Sequence, residues 1–336
     1  MAIPVGTEAA DSVVEPPPLS HLGIGSALGA PSDEEDAAYT AAIRRALELG
    51  VNHVDTAINY RCQRSERLIG RVLREGAADG ARVFVTTKGG YLPLESPPPE
   101  SKAEYRAYIE KEYIEPGIID ATALVAGGHC ISPAFLRDQI ERSVANLGIG
   151  TIDIYYIHNP EQQLDALSRE EFDNRMHAAF AELEACVRDG LITSYGCATW
   201  AGLRVPPSAQ NHLSIESLVT TAHHVAGDGH HLVALQMPVN LAMMEGVRAQ
   251  TQLVNAHERT SLEAADELGV AMIAVAPLMQ GRLAQDLPPA ARVAFPEAKS
   301  DAECALSFVR MVPHIASVVV GMRTARHVEE NAALFG

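Results

Sequence analysis

Apolar and polar positions along the chain alternate between two rhythms. Short, near-continuous apolar runs alternate with longer stretches of helical period. Leu22–Leu28 (LGIGSAL) reads as a glycine-rich strand, and Asp33–Leu49 follows as an amphipathic helix. That helix carries Ala38, Ala42, Ala46 and Leu49 on one face, and Gly50 stops it. His53–Ala57, Val83–Thr87, Ile152–Ile157, Thr193–Ala198, Leu232–Val239, Ala271–Ala276 and Ala316–Val320 are further β-like runs. Between them the period predicts helices at Ser65–Arg74, Pro133–Leu147 (capped by Ser132), Arg169–Asp189, Ser214–Ala226, Ser261–Leu268, Asp301–Met311 and Ala325–Leu334. This makes eight βα units in a row. Runs apolar throughout suit strands buried on both faces. No GxGxxG follows the first run, so a closed (β/α)₈ barrel fits better than an open doubly wound sheet.

Two stretches break the rhythm. Residues 1–19 are acidic and proline-rich, with no basic region followed by an apolar run, and read as a flexible leader rather than a secretory signal. Residues 20–336 form the barrel domain, interrupted after its third strand by an insertion at 89–130. That insertion holds Pro97-Pro98-Pro99, Gly127-Gly128 and the tyrosines 91, 105, 108 and 113. A connection of this length is functional or disordered as a rule. Its tyrosines predict partial helix and an ordered lid over the barrel mouth, the more so because the sequence ends directly after its last helix.

Composition narrows the function classes. Hydrophobic residues make up 47% of 336, mean hydropathy is +0.01, and no apolar run is long enough to span a membrane. A net charge of −17 argues against nucleic acid and against an anionic membrane surface. The cysteines at 62, 130, 186, 197 and 304 follow no pattern, which suits a reducing cytoplasm. The group His223, His224, Asp228, His230, His231 lies in a glycine-broken loop and matches no zinc spacing, so no metal site is assigned.

The chemistry gathers around Gly50–Gly70, GVNHVDTAINYRCQRSERLIG. Asp55 closes one β-like run and Tyr60 lies on the loop beyond it. Lys88 closes the next run, and His158 closes the Ile152–Ile157 run. In a parallel barrel these strand ends share one rim, where active sites are built. A free phenol has a pKa near ~10, and a neighbouring ammonium lowers it. Lys88 can therefore lower the Tyr60 phenol, Asp55 would hold Lys88 charged, and His158 can donate a hydrogen bond to a group that develops negative charge. Taken one at a time, each residue has a bland reading, as helix cap or rim packing. Tyr91, Trp200 and Arg61 are the candidates for the substrate pocket, and Thr56 and Asn52 read as structural.

DTAINY, the run ending TTKGG, YIHNP, the Gln236–Leu241 run, APLMQGRL and GMRTARHVEEN occur here in one order. Together they resemble the aldo-keto reductase superfamily over most of Leu22–Phe335. The resemblance implies a barrel that binds an extended nicotinamide cofactor, NADP(H) by preference with NAD(H) admissible. It also implies a small carbonyl or alcohol as substrate, with a homo-oligomer allowed. The family's catalytic set falls on Asp55, Tyr60, Lys88 and His158. Its cofactor contacts fall on Ser26, Asp55, Thr199, Gln236, Gln280, Gly281, Leu283, Gly321, Arg323, Thr324, His327, Glu330 and Asn331. Three positions depart from the family pattern. His327 replaces an Arg or Gln, Ala198-Thr199 replaces Ser-Asn, and Val275 replaces a stacking aromatic. Two alternatives share the same fold: a redox-neutral epimerase that retains its cofactor, and a non-catalytic cofactor sensor.

Overall fold

The computed structural model describes residues 14–76 and 80–336. Eight parallel strands close into a barrel in chain order, the last pairing with the first. They are β1 (Leu22–Gly25), β2 (His53–Asp55), β3 (Phe84–Gly89), β4 (Ile152–His158), β5 (Ile192–Ala198), β6 (Leu232–Pro238), β7 (Ala271–Val275) and β8 (Ile315–Gly321). Outside the barrel stand α1 (Asp33–Glu48), α2 (Arg64–Arg74), α3 (Pro133–Leu147), α4 (Arg169–Arg188), α5 (Ile215–Ala226), α6 (Ser261–Glu267), α7 (Asp301–Arg310) and α8 (Ala325–Phe335). Ile24, Val54, Val85, Tyr155, Ile157, Tyr195 and Leu235 from the strands join Ile43, Leu68, Ile140 and Phe180 from the helices in one core. Full capping boxes start α4 (Ser168 with Glu171) and α6 (Thr260 with Glu263). Gly70 has a packing reason: a Cβ there would overlap the Leu147 carbonyl where α2 crosses the end of α3.

The boundaries differ from the sequence reading where loops claim strand ends. β1 stops at Gly25 and β2 at Asp55, though Ser26 N still bonds Asp55 O (3.2 Å) and Thr56 N bonds Thr86 O (2.9 Å), and the two hydroxyls bond each other. β3 runs on to Gly89, so Lys88 lies inside the strand. Helix α2 starts at Arg64, one residue early, behind a left-handed Gln63 that makes no side-chain cap. Ser65 donates instead to the Ser26 carbonyl (2.8 Å) and ties α2 to the end of β1. Ser132 precedes α3 but its hydroxyl does not cap it; the thiol of Cys130 takes that contact. An antiparallel hairpin, Gln252–Val254 with His257–Arg259, has no counterpart in the hydrophobic pattern.

Residues 1–13 of the expected leader lie outside the described residues. Val14 and Leu19, however, pack against the cluster of Ile154, Tyr156, Ala198, Val233 and Ala234. Asn52 bonds the same stretch, accepting from Ser20 N (2.6 Å) and donating to Pro18 O (3.1 Å). Residues 14–19 therefore belong to the barrel's packing.

The 89–130 insertion is ordered. It contains a helix at Lys102–Ile109, a π turn at Glu110–Ile114, and its own apolar cluster of Leu92, Ile109, Tyr113, Ile119 and Cys130 against Phe135 of α3. Three of the insertion's four tyrosines are used internally. Tyr105 donates to Gly127 O, while Tyr108 and Tyr113 both donate to Pro93 O. A buried phenol needs a partner, and the insertion's own carbonyls supply it. Gln63 and Arg67 of the α2 region hold Glu95, so the body of the insertion also rests against α2.

Candidate active site

Asp55, Lys88 and His158 come from the C-terminal ends of β2, β3 and β4, and Tyr60 from the loop after β2. The register explains how they meet: Asp55 pairs with Thr86, and Gly89, next to Lys88, pairs with Ile157, next to His158. Lys88 Nζ donates to Asp55 Oδ2 (2.5 Å) and to Thr56 O (2.7 Å), with both charged side chains at most 5% exposed. Thr86 Oγ1 (2.8 Å) and Gln236 Nε2 (2.9 Å) donate to the other Asp55 oxygen. An ammonium has three N–H groups, so one remains beside Tyr60, whose ring centroid is 5.2 Å from Nζ. The Tyr60 and His158 rings meet edge to face at 5.9 Å.

The electrostatics follow from burial. Burial pulls the Lys88 ammonium toward a lower pKa, but Asp55 and then Tyr60 outweigh it, and the net shift is upward. Burial raises the Tyr60 phenol, and Lys88 opposes that rise without reversing it. Lys88 acts on the phenol in the expected direction, but the net shift is upward because burial penalises the phenolate more. His158 is driven well below the usual histidine range by burial, then by Lys88 and His129, and stays neutral. Its Nδ1 is buried without a partner, which places the ring proton on Nε2, since a buried unpaired N–H is costly.

The other sequence candidates are distributed unevenly. Tyr91 reaches the centre, its ring edge-on to His158 at 5.0 Å and its hydroxyl accepting from Asn159 Nδ2 (2.8 Å). Arg61 does not serve a pocket. Its side chain is 1% exposed and donates to Ala30 O (3.0 Å), Ser32 O (3.2 Å) and Asp36 (2.5 Å), locking the loop after Tyr60 onto the start of α1. That loop needs a lock, because Arg61, Cys62 and Gln63 all have positive φ (49°, 54° and 66°). Trp200 is 44% exposed on the rim. Gln236 is buried with its amide nitrogen given to Asp55, and Ser26 donates to Thr56 (2.9 Å).

Thr199 donates to Glu161 (2.6 Å), whose same oxygen accepts the backbone N–H groups of Trp200, Ala201 and Gly202. Glu161, missed in the sequence, fixes the loop after β5; an acid three residues past His158 was its signal. Gln280 and Gly281 form a left-handed turn after β7, with Leu283 closing it. Gly321 ends β8. Arg323 is half-exposed and paired with Glu35 of α1 (2.5 Å), and Thr324 caps α8 by accepting from His327 N. Glu330 pairs with Arg326 (2.8 Å), and Asn331 lies a residue further along the helix. In the histidine-rich stretch His223 pairs with Asp228, and His231 pairs with Glu184 of α4.

Two places on the rim suit anionic or polarised groups. The first turn of α8 carries no acid, so its N–H groups and Arg323 suit a phosphate, while Glu35 counters part of that charge. Across the rim, Lys88, Tyr60 and His158 suit a carbonyl undergoing charge development.

A sequence model described as the Aldo/keto reductase family matches residues 21–336. An uncharacterized oxidoreductase of Schizosaccharomyces pombe is 24% identical over 309 residues, 91% of this chain and 76% of that protein. A 6-dehydroglucose reductase of Novosphingobium aromaticivorans is 24% identical over 306 residues, 86% of this chain and 78% of that one. Two other curated relatives are spanned over 63% and 46% of their length. The crystal structure of an aldo/keto reductase from Klebsiella pneumoniae in complex with NADP and acetate superposes with a TM-score of 0.61 at 17% identity, covering 94% of this chain and 86% of that one. With the match running through every barrel strand, the chain belongs to the aldo/keto reductase family.

Proposed function

We propose that the chain is an NADP(H)-dependent oxidoreductase that interconverts a small carbonyl compound and its alcohol, with Tyr60 as general acid and base. One observation carries the reading: Asp55, Lys88, Tyr60 and His158 form a single cluster on the rim, its ion pair buried and its phenol and imidazole partly open to solvent. NADP in the Klebsiella pneumoniae relative supports the cofactor, and the name of the Novosphingobium aromaticivorans relative supports a sugar-like carbonyl.

When bound, the nicotinamide supplies or accepts the hydride. The residues supply the rest. His158 donates from Nε2 to the carbonyl oxygen and orients it. In the reducing direction Tyr60 gives its phenolic proton to the developing alkoxide. The phenolate left behind is costly in a buried site, and the Lys88 ammonium offsets that cost. Asp55 keeps Lys88 protonated and fixes its direction. In the oxidising direction Tyr60 takes the proton back.

The test is Tyr60→Phe, which removes the proton donor and little else. Turnover on a panel of aldehydes, ketones and aldoses should fall at least ~10²-fold, the usual scale for a general acid. Cofactor binding, read by protein fluorescence, should persist. Near-normal turnover in the variant would refute the assignment.

A further inference from the structure

The insertion meets the catalytic rim at its two ends, and both ends converge on His158. We propose that His129 is a positioning residue for His158, and that the base of the insertion is built to deliver it. This rests on reading His158 as the donor to the carbonyl oxygen.

The need arises from strand length. β3 runs out at its Gly89–Ile157 pair. Asn159 N turns toward β5, bonding Ala198 O (2.6 Å), so the His158 carbonyl faces the side that β3 has vacated. A buried strand-end carbonyl without a donor is costly, and without a bond on that side the end of the strand that carries His158 is unanchored. His129 fills the gap, its Nε2 lying 2.8 Å from His158 O.

The bond has a defined direction. Gln163 Nε2 stands 2.7 Å from His129 Nδ1, and Gln163 Oε1 is committed to accepting from Arg175 Nη1 (2.5 Å). With its oxygen held by a guanidinium, Gln163 presents an N–H to Nδ1. That places the imidazole proton on Nε2, where it is donated to His158 O. The relay from Arg175 thus sets the tautomer of a residue on another element.

The approach is also prepared sterically. Cys130 N bonds Gly90 O (2.8 Å) and Leu92 N bonds Gly128 O (2.9 Å), so the two ends of the insertion are paired beside the site. Gly90 sits at φ +139°, and a Cβ there would come within 3.0 Å of both His129 Nε2 and His158 O. Only glycine leaves the bond its space. Tyr91 completes the clamp, its ring edge-on to His129 at 4.9 Å and to His158 at 5.0 Å.

His129→Phe keeps a ring of similar size and removes both hydrogen bonds; His129→Gln restores an N–H donor. In steady-state kinetics His129→Phe should lower kcat about tenfold or more, with KM and cofactor affinity within about twofold, since substrate and cofactor are not touched. His129→Gln should recover most of kcat. Gln163→Met, which leaves His129 in place but frees its tautomer, should give an intermediate kcat and serves if His129→Phe does not fold. The inference is overturned if folded His129→Phe, or Gln163→Met in its place, keeps the wild-type kcat. It is equally overturned if the Phe and Gln variants lose kcat alike, only in proportion to their melting temperatures. His158→Ala tests the underlying reading separately, because unchanged turnover there would remove the catalytic role of His158 itself.

Discussion

The buried Asp55–Lys88 pair gives the sharpest quantitative test. At 2.5 Å, an effective dielectric of ~20 gives an attraction of about 7 kcal/mol before desolvation is subtracted. Removing one partner of such a pair costs about 3–5 kcal/mol. The structure makes the two single variants unequal. Lys88→Met leaves Asp55 with hydrogen bonds from Thr86 and Gln236, whereas Asp55→Asn leaves a buried ammonium with neutral acceptors only, an amide oxygen and the Thr56 carbonyl. Asp55→Asn should therefore be the more damaging. For 336 residues the unfolding entropy is about 0.7 kcal/mol per degree, so a 4 kcal/mol loss lowers Tm by about 6 °C. A double-mutant cycle read by urea unfolding should give a coupling of about 3 kcal/mol. The sign with pH is also fixed. The folded pKa of Lys88 lies above its ordinary value, so its contribution is full below about 10.5 and is lost as pH rises through the folded value. The wild type should thus lose more stability than Lys88→Met at strongly alkaline pH. Additive single variants, with coupling under ~1 kcal/mol, would refute the buried-pair reasoning.

Three further outcomes follow from the same geometry. Arg61→Ala should lower Tm and kcat while leaving KM close to normal, because Arg61 holds the Tyr60 loop; a selective rise in KM would return it to the substrate pocket. Arg323→Ala should weaken NADPH relative to NADH by about 1.5–3 kcal/mol, and Glu35→Gln should strengthen NADPH by releasing Arg323; titration calorimetry showing equal effects on both cofactors would exclude Arg323 from reading the 2′-phosphate. His53 and His129 are each lowered to about 4 by burial, so the unfolded chain binds their protons first as pH falls. Stability should be complete above about pH 6.5 and fall progressively toward pH 4, by up to about 3 kcal/mol per histidine, and His129→Gln should flatten that slope in urea titrations.

By itself the sequence determined the barrel, its eight units and the four residues at its rim. Strand runs buried on both faces are apolar throughout, so Asp55, Lys88 and His158 stood out as ionisable groups where such runs end. Tyr60 followed from its distance beyond Asp55 on the same loop. Tertiary structure decided what those groups experience. The balance between burial and the Lys88 field at Tyr60 depends on how much water the closed barrel excludes, which no spacing encodes. Arg61 reads in sequence like a residue beside the site, and only the position of α1 shows its Nε and Nη2 bonded to Ala30 O, Ser32 O and Asp36. The tyrosines of the insertion suggested a lid over the mouth, but the hydroxyls of Tyr105, Tyr108 and Tyr113 satisfy the insertion's own carbonyls. His129 carried no local signal: it lies 29 residues before the carbonyl it bonds, and its role exists only because β3 ends one pair short of His158.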